Sequence, residues 1–316
     1  MLWHRSLGRI ENYHGAAGSP LVYKGRVILY QVQAAGSFIA AFDARTGADV
    51  WRTRRNASVG WGTPIAIRVA GHDEIIVNRP RRVVAYDPGT GRELWHCDGS
   101  TYEVIPTPVV GDGMVYCASG RAGPTLAIRA GGRGDVTRTH VAWTSPRGAP
   151  FVPSPILYDK YLYSVNDTSS IVTALEATTG RTMWQGRLGV ARREGFSASP
   201  VAVDGKLFFT NHDGETFVLR AGPTFELLHV NRIGEHARVA GTCGRPVVHP
   251  DRPTPCRDRP GPSFMTSTGH HREPRSMHGR HGMPVPGSSP RSRDVSARSA
   301  PGAAVEGGCR RTSRCA

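Results

Sequence analysis

Three kinds of side chain in this 316-residue chain stand at spacings that could support chemistry. Carboxylates recur in one phrase: AFDARTGADVW at 41–51, VAYDPGTGRELW at 84–95 and TALEATTGRTMW at 173–184 place Asp43, Asp87 and Glu176 ahead of a Thr-Gly and a Trp at matching offsets. Such groups can serve as acids, bases or cation ligands. Four imidazoles, His270, His271, His278 and His281, crowd the stretch HHREPRSMHGRHG and could hold a transition metal. Arginines gather in WRTRRN at 51–56 and NRPRRV at 78–83 beside aromatic or apolar residues, as nucleic-acid surfaces do.

The surroundings of each group argue for a plainer role. Asp43 and Asp87 open a turn whose backbone amides they are placed to satisfy, with Thr46, Thr90 and Thr179 adding a hydroxyl bond. No recognition helix or RNA motif accompanies the arginines, which suit exposed strand ends, so no nucleic-acid partner is expected. The histidines fall in a tail where their frequency follows from composition. Cys97 and Cys117 stand alone in the body, against Cys243, Cys256, Cys309 and Cys315 in the tail, and no CxxC or zinc spacing occurs. The G-x-S-x-G elbow of serine hydrolases is absent. No catalytic, cofactor-binding or metal-binding residue is therefore assigned.

The elements that position these residues follow from a period. Ser/Thr-Pro pairs with prolines at 20, 64, 108, 155 and 200 each open an alternating apolar strand, in steps of 44, 44, 47 and 45. Trp3, Trp51, Trp95, Trp143 and Trp184 step by 48, 44, 48 and 41, so a second marker reports the same repeat. Within a unit, a strand such as LVY meets a tight KG or DG turn, then VILY, then a third strand, the D-x-x-T-G turn, and a short strand ending in Trp. Four short antiparallel strands per roughly 40–45 residues describe one blade of a β-propeller. Gly47, Gly91 and Gly180 are expected in the left-handed conformation, and the indoles between one blade and the next. The third unit has RAGGRGDVTRTHVAW at 129–143 in place of the phrase, and the fifth shows Leu228 where Trp is expected.

The pattern A-x-D-x-x-T-G-x-x-x-W, preceded by a Ser-Pro strand and a D/K-G turn, resembles the repeats of PQQ-like (pyrroloquinoline-quinone-type) β-propellers over residues 2–236. That group includes quinoprotein dehydrogenases, the outer-membrane assembly lipoprotein BamB and other cell-envelope proteins. The resemblance implies an all-β fold of four-stranded blades, about five present in an incomplete ring. Its dehydrogenase branch implies PQQ with Ca²⁺, oxygen ligands from Glu, Asn and Asp, a catalytic Asp and commonly a vicinal Cys pair. Here no two Cys are adjacent and Asp43 and Asp87 are absorbed by the blade turns, so no cofactor is expected.

Domain limits follow from composition. Residues 1–236 form the propeller, with blades opening near 19, 63, 107, 154 and 199. Residues 237–316 hold fourteen Arg, no Lys and five acids, and supply +9 of the net charge of +15. Rich in Arg, Pro, Gly and Ser and poor in large apolar residues, this tail is expected to be disordered. Met1-Leu2-Trp3 resembles the end of a blade, and a Ser-Pro strand expected near 241 is replaced by GTCGRPVVHPDRPTPCRDRPGPS; a start in mid-propeller and a shifted reading frame from Arg238 account for both. No apolar run approaches the ~20 residues of a membrane span, and residues 1–30 lack signal-peptide order. The remaining role is protein binding by face or rim loops, for which Trp61, Tyr102 and Phe196 are the candidate aromatics. They serve equally as packing between blades. A cell-envelope location is implied by the family alone.

Overall fold

Alternation of apolar residues with period two sends neighbouring side chains of one strand to opposite faces of a sheet, and both faces here find partners. The computed structural model describes residues 2–15, 18–33, 36–56, 60–191 and 195–237. They contain strands and no helix, arranged as five sheets within one compact unit, Met1–Arg252. The expected tail falls almost wholly outside the described residues.

Blade 1 holds β1 (Leu21–Tyr23), β2 (Arg26–Gln31), β3 (Phe38–Asp43) and β4 (Asp49–Arg54). Blade 2 holds β5 (Ile65–Val69), β6 (His72–Arg79), β7 (Arg82–Tyr86) and β8 (Glu93–Asp98). Blade 3 holds β9 (Val109–Gly111), β10 (Met114–Ala118), β11 (Thr125–Arg129) and β13 (Val141–Ser145), interrupted by β12 (Gly134–Asp135). Blade 4 comprises β14 (Ile156–Tyr158), β15 (Tyr161–Asn166), β16 (Ile171–Glu176) and β17 (Thr182–Arg187), and blade 5 comprises β18 (Val201–Val203), β19 (Lys206–Thr210), β20 (Glu215–Arg220) and β21 (Leu227–Arg232). Each blade is an antiparallel meander in chain order. The first strands neighbour one another, β1 beside β5, β9 beside β14 and β14 beside β18, so the blades are arranged radially in a ring that does not close.

The core lies between blades. Ile75 and Val77 of β6 face blade 1 and meet Ile28, Ile39 and Tyr30, whereas Ile76 of the same strand faces blade 3 with Val115 and Cys117. Tyr116 and Trp143 pack on Leu162 and Leu175 at the next joint, and Tyr163 and Trp184 on Leu207 and Phe217 at the last.

The recurring phrase builds these joints. Asp43 Oδ1 accepts bonds from the Thr46 amide (2.7 Å) and hydroxyl (2.8 Å), and Asp87 repeats this with Thr90 at 2.7 and 2.9 Å. Glu176, one methylene longer, takes the Thr179 hydroxyl at 2.6 Å and a terminal nitrogen of Arg181 at 3.5 Å. Gly47, Gly91 and Gly180 follow at φ of +73°, +70° and +73°. Each is the floor beneath an indole from the preceding segment: a Cβ on Gly47 would stand 2.6 Å from Trp3, and one on Gly180 2.5 Å from Trp143. Each indole N–H donates to the same turn, Trp3 to Ala44 (3.0 Å), Trp51 to Pro88 (3.0 Å) and Trp143 to Ala177 (2.9 Å). Trp3 thus occupies the seat that a blade's Trp takes on its neighbour.

Three details differ from the sequence expectation. The Trp stands third in its strand rather than last, because a β-bulge between Ala41 and Phe42 brings Trp51 opposite Ala41 and β4 runs on to Arg54. By the same register His229, opposite Val218, holds the Trp position of blade 5, and Leu228 falls in the bulge. The blade 3 insertion is more than a turn: β12 pairs in parallel with β8 of blade 2, Gly134 beside Trp95 and Asp135 beside His96. With no D-x-x-T-G turn to sit on, Trp95 donates instead to Glu74 Oε2 at 2.9 Å. The other oxygen of this buried carboxylate takes His72 Nε2 at 2.8 Å and faces Arg133 of the insertion at 3.9 Å.

Candidate functional site

The meander order puts two kinds of turn on opposite faces. The short first turns and the D-x-x-T-G turns share one face; the other carries the longer links between blades, with described residues 55–56, 60–64, 99–108, 146–155, 188–191 and 195–200, together with turns between second and third strands. Long loops on a rigid sheet are where binding groups gather.

Glu103 is the hub of this face. Tyr13 donates to its Oε1 at 2.6 Å and Arg121 Nε donates to its Oε2. The Arg121 guanidinium also lies over the Phe151 ring, 4.4 Å from its centroid. Trp61 packs edge-on against Tyr13 at 5.3 Å and donates to the Gly15 carbonyl at 3.2 Å. Five chain segments are thereby locked into one patch. Burial pushes the Glu103 carboxyl up, but the Tyr13 and Arg121 hydrogen bonds outweigh it and the net shift is downward. An ionised, doubly bonded carboxylate of this kind braces a surface and has no proton to donate at neutral pH.

The three candidate aromatics separate clearly. Trp61 is buried, and Phe196 is buried against Phe217, so both are packing residues. Tyr102 is 57% exposed and, with Tyr13 at 65%, stands out from the braced patch. Tyr13 and Glu103 are the members that sequence reasoning missed; nothing local marks them, since they are 90 residues apart and meet only through the fold.

The charged and thiol groups named from sequence are dispersed. Asp43 and Asp87 lie on the opposite face inside their turns. Arg55 pairs with Glu93 at 3.4 Å, Arg82 with Asp98 at 2.9 Å, and Arg52 stacks on Phe38 at 4.3 Å, so much of the arginine clusters is engaged within the propeller. Cys97 and Cys117 are buried and unpaired, and desolvation pushes Cys97 up to about 11 and Cys117 further, the opposite of a reactive thiolate. The four tail histidines lie outside the described residues.

A cavity of about 590 Å³ opens where the first strands converge, lined by Leu21, Tyr23, Ile65, Val109, Ile156 and Leu157 among others, none of them charged. A quinone bearing carboxylates beside a Ca²⁺ requires oxygen ligands and cationic partners, which this wall does not offer. Among the described residues no three His, Cys, Asp or Glu side chains converge as a metal site. No helix among them is long and apolar enough to cross a membrane.

Residues 35–237 match the family profile described as outer membrane protein assembly factor BamB. The fold is similar to that of BamB from Moraxella catarrhalis, with a TM-score of 0.59 at 17% identity over 72% of this chain and 67% of that one. It is similar also to quinohemoprotein alcohol dehydrogenase from Comamonas testosteroni, with a TM-score of 0.50 at 15% identity over 69% of this chain and 43% of that one. A segment of 124 residues, 37% of this chain, is 31% identical to the serine/threonine-protein kinase AfsK of Streptomyces griseus and covers 15% of it. The chain thus spans only a small part of that kinase and less than half of that dehydrogenase. At these identities the solved structures establish the fold alone.

Proposed function

The chain belongs to the PQQ-like propeller family described as outer membrane protein assembly factor BamB, and from that premise we propose that it is a non-enzymatic scaffold that binds a protein partner through its loop-bearing face. The observation that carries this reading is the patch around Glu103. Two exposed tyrosines and an arginine stand on a base fixed by Trp61 and Phe151, and Tyr, Trp and Arg are the residues that dominate binding energy at protein interfaces. Pre-bracing lowers the ordering cost of association. The envelope setting of the family's namesake makes an envelope protein the first partner class to test.

The likeness to the AfsK segment favours a second setting for the same face, in which the propeller reports a binding event to a serine/threonine kinase. Sequencing the DNA on either side of this reading frame separates the two: an adjoining kinase domain selects the second.

Cross-linked pull-down from an envelope extract tests the reading directly. Replacing Tyr13 and Tyr102 by Ala is expected to reduce capture of a specific partner about tenfold or more, with the fold unchanged by circular dichroism. Capture insensitive to both substitutions argues against this face. Incubation with PQQ and Ca²⁺ tests the rival reading. Saturable quinone absorbance with dye reduction by alcohols or sugars would replace the scaffold with a dehydrogenase.

A further inference from the structure

A row of arginines crosses the loop-bearing face from blade 2 to the link that follows blade 3, and backbone hydrogen bonds fix its course. The Arg81 amide donates to the Thr101 carbonyl at 2.7 Å and the Gly99 amide donates to the Arg81 carbonyl at 3.1 Å, so Arg81 lies against the segment that holds Tyr102 and Glu103. Thr101 donates through its hydroxyl to the Ser119 carbonyl, at the base of the loop that carries Arg121. That loop clasps the next link: the Ala122 amide donates to the Ala149 carbonyl at 3.1 Å, and the Gly148 amide donates to the Ala122 carbonyl at 3.0 Å, beside Arg147. Arg81, Arg121 and Arg147 are all exposed.

The carboxylates along this course are already engaged. Glu103 takes Tyr13 and Arg121, Asp98 takes Arg82 at 2.9 Å, and the fully buried Asp167 accepts the Phe151 amide at 2.8 Å. Arg81 and Arg147 form no ion pair among the described residues, so they remain as uncompensated cations flanking the segment of Tyr102, itself 57% exposed. The backbone adds a second sign. Arg81 stands at φ +71° and Arg121 at +45°, conformations that Gly or Asn adopts more readily than a long side chain, and outliers of this kind gather where ligands are held.

Resting on the reading of this face as a protein-binding surface, we propose that the row of Arg81, Arg121 and Arg147 docks an acidic, extended segment of the partner, whose carboxylates pair with Arg81 and Arg147 as it crosses Tyr102. A guanidinium fork matches a carboxylate with paired hydrogen bonds, and Arg and Tyr supply binding energy out of proportion to their number. A nucleic-acid duplex suits the row less well, since it is held by many phosphate contacts and would meet the fixed Glu103 carboxylate at the middle of the row. The proposal also gives a use to the arginine of NRPRRV that the propeller leaves over: Arg82 pairs with Asp98, whereas Arg81 stays exposed.

The experiment is arginine labelling of the full chain with phenylglyoxal, mapped by mass spectrometry, in the presence of a short poly-glutamate peptide. A residue-by-residue readout is required because the tail, with +9 of the charge, attracts the peptide as well. The peptide is expected to protect Arg81 and Arg147 and to spare Arg45 and Arg138, which are exposed on the opposite face; poly-glutamine should protect none of them. Protection should fade as salt is raised. In Arg81→Asn, the peptide concentration that half-protects Arg147 is expected to rise about tenfold, while the melting temperature does not fall, since Asn accepts the left-handed backbone. The proposal is overturned if Arg81 and Arg147 label equally fast with and without the peptide, or if Arg45 and Arg138 are protected at the same concentration, which would make net charge the cause. Protection by duplex DNA at a lower concentration than by poly-glutamate would overturn it in favour of a phosphate ligand. Its failure is distinct from that of the reading it rests on: partner capture lost in the Tyr13 and Tyr102 variants, with the row unprotected by poly-glutamate, keeps the face and removes the acidic partner.

Discussion

At the scale of single residues, Gly180 answers for two demands that usually occur apart. Its φ of +73° disfavours any side chain, and the Trp143 ring stands where a Cβ would go. Gly25 has the same φ of +73° with no atom within 4 Å of the place a methyl would take, so it isolates the first demand. Gly180→Ala should cost about 2–4 kcal/mol, combining left-handed strain with overpacking against the indole. Gly25→Ala should cost about 1 kcal/mol, from strain alone. Urea unfolding of the two variants makes the comparison, and equal losses would mean that the indole seat is not a tight joint. The residue scale is also where the sequence is most legible: an Asp, a Thr and a Gly at fixed spacing imply one turn chemistry. Glu103 is illegible by contrast, because its importance comes from Tyr13 and Arg121, brought in by distant segments.

At the scale of elements, β12 shows how a repeat absorbs an irregularity. Blade 3 lacks the turn on which an indole would rest, and the insertion replaces that seat by adding a strand to the neighbouring blade. The Val136 amide donates to the His96 carbonyl at 2.9 Å, and the Asp98 amide donates to Thr137 Oγ1 at 3.0 Å. The Thr137 hydroxyl is also the largest influence holding the Asp135 carboxyl below its ordinary range. Thr137→Ala is therefore expected to cost about 1 kcal/mol, to speed hydrogen exchange at the Asp98 amide and to move the Asp135 titration upward. Exchange unchanged at Asp98 would show that β12 does not staple the blades. A two-residue parallel strand leaves almost no pattern in sequence, since period-two alternation needs several residues to register. The bulge is hidden for a related reason: it shifts register by one without altering composition, which is why His229 rather than Leu228 stands at the indole position of blade 5.

At the scale of the whole molecule, stability against pH follows from where ionisable groups lie along the arc. Carboxylates with lowered pKa values occur in successive units: Asp43 through the Thr46 hydroxyl, Asp73 through Lys24, Asp135 through Thr137 and Glu176 through Thr179. Each contributes stability that is present above the ordinary carboxylate range, about pH 4, and is lost as pH falls through the lower folded value. The alkaline side has the opposite sign, because Cys97 is pushed up to about 11 and Tyr86 and Tyr163 up to about 12, all chiefly by desolvation. The unfolded thiol ionises from about pH 8.5 and the phenols from about pH 10, while the folded groups still hold their protons, so stability is full below those values and declines as pH rises toward the folded ones. The urea midpoint should therefore be level between about pH 5 and 8 and fall on both sides. Because Asp43 and Glu176 sit in turns that floor the joints, the acid limb should loosen blades from one another before it melts their sheets. Tryptophan emission, reporting the indole seats, is expected to shift at a higher pH than far-ultraviolet circular dichroism is lost. Coincident acid transitions by the two probes would mean that joints and blades fail together, and a midpoint unchanged down to about pH 3 would remove the turn carboxylates as the source of acid lability.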